Sequence, residues 1–143
     1  MSAEGSRVNG GRYNAPGEFG PLYCSLEENT AAAEVARGLR AVGQDPAAYP
    51  EGSWILYELE IQADEVLDLT DEETLTLLGL QPAMLTGDHR QVTQRLGREA
   101  REAGYQAILA PSAAVPGGKN LILFLDRLPS PPNLFRCTPI RLE

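Results

Sequence analysis

Residues 10–37 read GGRYNAPGEFGPLYCSLEENTAAAEVAR, and the local structure of this stretch sets the fold class. Gly10 to Gly17 is dense in turn formers and predicts a structured loop. Leu22–Ser25 reads as a short strand leaving that loop. Ser25–Thr30 then turns into a helix over about Thr30–Arg40, stopped near Gly43 and Pro46. A glycine-rich loop, a strand and a helix thus follow one another at once, with Arg12 on the first, Tyr23 on the second and Glu34 on the third.

Downstream, Ser53–Ile61 is the clearest strand. Ile55, Tyr57, Leu59 and Ile61 alternate there with Trp54, Leu56, Glu58 and Glu60, the period of a half-buried strand. Val66–Leu69 is a second short strand. Thr70 and Glu73 have capping-box spacing, which predicts a brief helix over Asp71–Leu78. The longest helix is expected over Asp88–Ala103, with Val92, Leu96, Ala100 and Ala103 on one face and Gly104 as a left-handed stop. Strands are expected at Tyr105–Ala110, Leu121–Leu125 and Leu134–Leu142, the last at an edge because of Pro139. Helices and strands mix without regular βαβ alternation, which predicts an α+β fold with a mostly antiparallel sheet, in a single domain over residues 1–143.

The 143 residues suffice to bury a core without disulfides or a structural metal. Hydrophobic residues make up 43% and charged residues 22%, as in a folded globular protein. Residues 1–12, rich in Gly, Ser and Asn, are expected to be loosely held. No apolar run approaches the roughly 20 residues of a membrane helix, and the N-terminus lacks the apolar stretch of a secretory signal. Cys24 and Cys137 are too few for a disulfide framework and are expected to be reduced, in a cytoplasmic protein. The formal net charge of −8 argues against direct nucleic-acid binding. Lys119 is the only lysine, so the basic residues are nearly all arginines, which suit forked contacts to phosphate.

Several familiar chemistries drop out. His89 is the only histidine and is expected on a solvated surface early in a helix, so no Ser-His or Cys-His pair is available. His89 and the two cysteines lack metal-ligand spacing, and no metal is expected. Gly117-Gly118-Lys119-Asn120 superficially resembles a phosphate loop, but it lacks the Walker spacing and precedes a strand, so a hairpin turn is the reading. No G-x-G-x-x-G follows a strand. The acidic residues Asp64, Glu65, Asp68, Asp71, Glu72 and Glu73 read as helix capping and a solvated face.

What remains is the opening stretch. Its glycines let backbone approach a ligand, and the Arg12 guanidinium can grip two phosphate oxygens. Tyr23 can present a ring to a planar base. Glu34 lies among Ala31, Ala32, Ala33 and Ala36, small residues that leave its helix face open to a ligand. Taken singly, each has a bland reading: a turn arginine, a core tyrosine, a surface glutamate.

Their order resembles the signature of the RES-domain family, named for an arginine, a glutamate and a serine. That signature runs GGR-aromatic-N-x-P-G, then a Leu-Tyr strand, then a helix carrying A-x-x-E. Arg12, Tyr23 and Glu34 match it, and Ser112 in ILAPSAAVPGGKNLILF fits the place of the late serine. The resemblance spans about residues 6–126. It implies a fold like that of ADP-ribosyltransferases. It also implies an enzyme that takes NAD as substrate, needs no cofactor and serves as the toxin of a toxin–antitoxin pair. The partner it implies is an Xre-like helix-turn-helix antitoxin whose tail plugs the NAD pocket; a homodimer stays open, and no membrane is involved. Family members commonly carry an arginine on a further strand ahead of the GGR loop. Only a few residues precede that loop here, and Arg7 is the candidate substitute.

The chemistry this resemblance implies suits a site without histidine. Nicotinamide in NAD is a pyridinium. As its bond to ribose lengthens, positive charge moves onto the sugar and the base leaves neutral, so no general acid is needed, unlike at an ordinary glycosidic bond. Glu34 and Arg12 are the candidate catalytic residues, Glu34 stabilising the cationic ribose and Arg12 clamping the diphosphate. Tyr23 would pack on nicotinamide or its ribose, and Ser112 would hydrogen-bond near that end. Water, phosphate or a protein side chain could be the acceptor, giving a glycohydrolase, a phosphorylase or an ADP-ribosyltransferase. A non-catalytic RES-like binding module is the alternative from another class.

Overall fold

Ala107, Ile108 and Ala110 are wholly enclosed, which requires a strand covered on both faces. This strand organises the molecule, whose computed structural model describes residues 3–143. In chain order the elements are α1 (Glu4–Asn9), β1 (Leu22–Ser25), α2 (Glu28–Ala41), β2 (Trp54–Glu60), β3 (Val66–Asp68), α3 (Glu72–Leu78), α4 (Ala83–Thr86), α5 (Gln91–Glu102), β4 (Ala107–Pro111), β5 (Lys119–Leu123) and β6 (Asn133–Ile140). One sheet has the order β1-β5-β4-β3 and a second pairs β2 with β6. Among the described residues only the β3–β4 pairing is parallel; β1–β5, β4–β5 and β2–β6 are antiparallel. The parallel pair needs a crossover, which α3, α4 and α5 supply. The fold is α+β with mostly antiparallel strands.

The core gathers Leu69, Leu75, Leu85, Ile108, Ile122 and Phe124 between the larger sheet and these helices. Tyr13, from the glycine-rich loop, belongs to the same cluster. Phe19 meets Phe124 edge-on at 5.7 Å and closes the core beneath the loop. The loop that should carry chemistry is therefore rooted in the core.

Where the structure departs from the sequence reading, local packing explains it. The N-terminal segment is not loose: Glu4–Asn9 is helical, and the Ser6 hydroxyl donates to the Pro21 carbonyl at 2.5 Å. Residues 1 and 2 of that expectation lie outside the described residues. Thr70 does not cap α3. Asp71 does, its carboxylate accepting from the Thr74 N–H at 3.0 Å, while Asp68 binds both the Thr70 N–H and hydroxyl. α5 begins at Gln91, so exposed His89 lies in the loop before it. Gly104 ends the helix at φ +94° as expected.

The buried face of α5 keeps Leu96 and Ala100 of the expected one but not its ends. Thr93, Gly97 and Ala100 point inward, whereas Val92 and Ala103 lie outside. A hydrophobicity pattern cannot find such a face, because small residues rather than apolar ones allow the approach made there. In β2, Ile55 and Tyr57 are exposed and Trp54 and Leu56 half-buried, so the Trp54 face is the inner one at this end of the strand. Trp54 is held by an edge-on contact to Tyr49 at 5.3 Å. Pro139 is tolerated in β6 because each strand of a two-stranded ladder is an edge. Residues 112–118 form the turn between β4 and β5, with Ala110 opposite Asn120, so the Gly117–Asn120 segment is part of a hairpin.

Candidate functional site

Asn14 has no exposed surface, and its side-chain amide organises the glycine-rich loop. Nδ2 donates to the carbonyls of Ser6 and Phe19, at 2.8 and 2.9 Å. Oδ1 accepts from the Tyr23 hydroxyl at 2.7 Å, and that hydroxyl accepts the Tyr13 N–H at 2.9 Å. From the other side, Gln94 of α5 donates its amide to the carbonyls of Gly11 and Asn14. Gly11 is required where it stands: a Cβ there would lie 2.5–2.9 Å from the Tyr23 hydroxyl and ring.

Tyr23 is therefore more than a surface for a base. Its hydroxyl end is enclosed, and burial pushes its pKa up to about 12, so it is protonated and available as a donor at neutral pH. Its ring still lines the cavity described below. We predict that Tyr23→Phe lowers stability by about 1–3 kcal/mol, because Asn14 Oδ1 and the Tyr13 N–H lose their partner in a buried place. Urea denaturation checks this, and wild-type stability in the variant would remove the clamp role.

The loop delivers Arg12 to the rim of a cavity of about 1100 Å³ lined also by Tyr23, Glu34, Arg37, Arg90 and Asn120. Arg12 Nη1 donates to the Gly87 carbonyl at 2.6 Å, tying it to the segment after α4. Burial, with the neighbouring guanidinia of Arg37 and Arg90, lowers the Arg12 pKa from its ordinary value. An arginine remains charged under such a shift, so the site concentrates positive charge in a chain of net charge −8.

Glu34 lies on the α2 face that lines the cavity, beside Ala31 and Ala32. Its Oε1 accepts two hydrogen bonds, from Ser112 Oγ at 2.5 Å and from Asn120 Nδ2 at 2.8 Å. Its Oε2 has no hydrogen-bond partner among the described residues. Asn120 is itself oriented by the Ser25 hydroxyl, which donates to its Oδ1 at 2.7 Å. Ser25 and Asn120 sit directly opposite each other where β1 pairs with β5. One carboxylate oxygen is thus held by two donors, one of them backed by Ser25, and the other faces no protein donor among the described residues.

Ser112 is buried, and its hydroxyl is fully used. It accepts the N–H groups of Ala114 and Val115, each at 3.0 Å, and gives its one proton to Glu34. A hydroxyl has one donor and two lone pairs. In this arrangement Ser112 positions Glu34, and no capacity is left for the direct NAD contact expected from the sequence. Arg7 is not brought to the site either. It is half-exposed on α1 and paired with Glu4, and it does not line the cavity.

Of the residues singled out in the sequence, Arg12, Tyr23 and Glu34 line this cavity, and the structure adds Asn120, Ser25, Arg37 and Arg90 to them. Arg37 was within reach, since a residue three after Glu34 shares its helix face. Asn120 is the second residue of β5, between Lys119 and the apolar Leu121–Leu123, a weak signal. Arg90 precedes its helix in the loop and offers none. Among the described residues, no group of three or more His, Cys, Asp or Glu could hold a metal ion, and no helix is long and apolar enough to cross a membrane.

The chain belongs to the RES domain family, whose model matches residues 1–137. Two mycobacterial relatives indicate its branch. The chain is 36% identical over 126 residues to a Mycobacterium tuberculosis protein named "Probable NAD(+) phosphorylase", covering 84% of this chain and 56% of that one. It is 29% identical over 123 residues to the NAD(+) phosphorylase MbcT of Mycobacterium bovis, covering 86% of this chain and 64% of that protein. It therefore spans less than two thirds of either relative. A chain of the crystal structure of the M. tuberculosis MbcT–MbcA toxin–antitoxin complex superimposes with a TM-score of 0.85 at 25% identity. That alignment covers 99% of this chain and 77% of that one.

Proposed function

We propose that this protein is an enzyme that cleaves the nicotinamide–ribose bond of NAD, with inorganic phosphate as the acceptor. The observation that carries the reading is Glu34. One of its oxygens is immobilised by Ser112 and Asn120, and the other is free in a cavity that also holds Arg12. A fixed carboxylate beside a developing oxocarbenium ion stabilises charge that appears only as the bond breaks. Arg12 supplies the diphosphate grip. Tyr23 offers its ring to nicotinamide or its ribose while its hydroxyl keeps the loop in shape.

The reaction balances without a general acid. The bonding pair of the N-glycosidic bond goes to the pyridinium nitrogen, and neutral nicotinamide leaves. A phosphate oxygen forms the new bond to the ribose carbon, giving an ADP-ribose phosphate and releasing any excess phosphate proton to solvent. Phosphate is preferred to water as acceptor because the mycobacterial relatives are named NAD(+) phosphorylases.

Purified protein incubated with NAD should release nicotinamide, faster with added phosphate, and chromatography should find the phosphorylated sugar product. NAD left intact over hours, with and without phosphate, would exclude the enzymatic reading. The same reading extends to biology, since the superimposed chain comes from a toxin–antitoxin complex. The protein would act as a toxin restrained by an Xre-like antitoxin. Expression alone should deplete bacterial NAD and stop growth, and co-expression of the partner should restore both.

A further inference from the structure

The Asn120 amide stands between two side chains that together leave it one orientation. Ser25 Oγ donates to Asn120 Oδ1 at 2.7 Å, and Asn120 Nδ2 donates to Glu34 Oε1 at 2.8 Å. An ionised carboxylate only accepts, so a reversed amide would set oxygen against oxygen. Ser25 spends its one proton on the remaining amide oxygen and holds the productive orientation. A chain of two hydrogen bonds thus runs from β1, through β5, to the glutamate of α2.

The sheet does not need this chain. β1 and β5 already pair along their backbones from Leu22 opposite Leu123 to Ser25 opposite Asn120. The Leu26 N–H extends that ladder by donating to the Lys119 carbonyl at 3.0 Å. A cross-strand pair of apolar side chains would serve the sheet as well. Glu34 does need it. The bond from Ser112 alone would leave the carboxylate free to pivot about that contact. A second donor, brought from another strand, removes this freedom and decides where Oε2 points. Ser25, Asn120 and Glu34 all line the cavity.

We infer that Ser25 and Asn120 are positioning residues of the reaction. Ser25 orients the Asn120 amide, and Asn120 fixes the Glu34 carboxylate so that its free oxygen is already aimed when the ribose becomes cationic. Both act through Glu34. The side-chain freedom of the glutamate is then given up on folding rather than at each turnover. This assignment rests on the reading of Glu34 as the group that stabilises the cationic ribose.

Nicotinamide release by the full chain gives kcat and KM for NAD. Asn120→Ala should lower kcat by about 10- to 100-fold, the scale of a misplaced reacting group, with KM changed only a few-fold. Asn120→Asp keeps the size and the acceptor for Ser25 but sets a second carboxylate against Glu34. At about pH 8, where carboxylates are ionised, it should be slower than Asn120→Ala by roughly tenfold. A residue that only fills space would give the reverse order. Ser25→Ala should lower kcat by about 2- to 10-fold, the scale of one hydrogen bond. Ser25→Thr keeps the hydroxyl and should recover most of that loss. In the Asn120→Ala background, Ser25→Ala should cost nothing further, because its effect passes through Asn120. A readout free of turnover is the Asn120 side-chain amide in heteronuclear NMR spectra, identified by its absence from Asn120→Asp. Its signals should shift in both Ser25→Ala and Glu34→Ala. The Ser25 variants leave the backbone ladder intact, so they decide the matter even if Asn120→Ala does not fold. Unmoved amide signals, independent effects of Ser25 and Asn120, or an Asn120→Asp enzyme faster than Asn120→Ala would overturn the assignment. If wild type releases no nicotinamide, the enzymatic reading fails instead, and the amide signals still decide whether Ser25 and Asn120 hold Glu34.

Discussion

Gly97→Ala is expected to be the most damaging single-methyl change in this protein. A Cβ at Gly97 would lie 1.8 Å from the Tyr13 carbonyl oxygen and 2.8 Å from its carbon. Both atoms are backbone, so no side-chain rotamer can relieve the clash. Either α5 or the glycine-rich loop must move. The loop is pinned by Asn14 and Tyr23, and α5 is pinned to it by Gln94, three residues before Gly97. Alanine favours a helix over glycine by about 1 kcal/mol. Overpacking costs about 1–3 kcal/mol and more when it meets rigid atoms, so the clash outweighs the propensity gain. A net loss of about 2–4 kcal/mol is expected. At roughly 2–4 °C per kcal/mol for a chain near this size, the Tm should fall by about 4–16 °C. Gly38→Ala in α2 is the control: nothing lies within 4 Å of its added Cβ, so the same change should stabilise by about 0.5–1 kcal/mol. Calorimetry of the two variants settles the sign at each position. A Gly97→Ala protein as stable as wild type would show that the loop is not seated on α5 as described.

This contact also shows what the sequence could and could not convey. The succession of loop, strand and helix in residues 10–41 was legible because turn residues, a strand-length apolar run and a helix follow each other locally. Glu34 and Arg12 were legible for the same reason, each marked by its immediate neighbours. The residues that hold them were not. Ser112 and Asn120 lie 78 and 86 positions from Glu34, and Gln94 lies 83 from Gly11. Those distances close only through the β4–β5 hairpin and the crossover of α5. Ser112 is brought to Glu34, as a hydrogen-bond donor to its carboxylate. Nothing in the sequence says that the N–H groups of Ala114 and Val115 use its lone pairs. Arg7 lies away from the cavity for the opposite reason: its position suggested a role, while Glu4 at helical spacing offered it a nearer partner. The buried face of α5 was read only in part, through Leu96 and Ala100, because apolar periodicity reports greasy surfaces and this helix also buries Thr93 and Gly97.

Glu34→Gln is the change on which the mechanism depends. The two groups that hold the carboxylate, the Ser112 hydroxyl and the Asn120 amide, are both donors to Oε1. A glutamine at this position can satisfy them only with its carbonyl oxygen. Its NH₂ group is then forced into the place of Oε2, facing the cavity. The fold should survive, because volume and both internal hydrogen bonds are kept. Affinity for NAD should change only modestly, because the diphosphate grip proposed for Arg12 is untouched, and NAD should still raise the Tm. The rate should not survive. Where a negative oxygen met the ribose, an amide with outward-pointing hydrogens now does, and it opposes the positive charge that develops as nicotinamide departs. Loss of a comparable electrostatic contribution costs about 2.7–4 kcal/mol, or 10²–10³ in rate. The expected result is a fall in kcat of at least about 10²-fold with KM for NAD changed by only a few-fold, the pattern of an interaction made in the transition state. Steady-state release of nicotinamide measures both constants. Near wild-type turnover in Glu34→Gln would remove this carboxylate from the chemistry, and a fall confined to KM would recast it as a ground-state contact to the ribose.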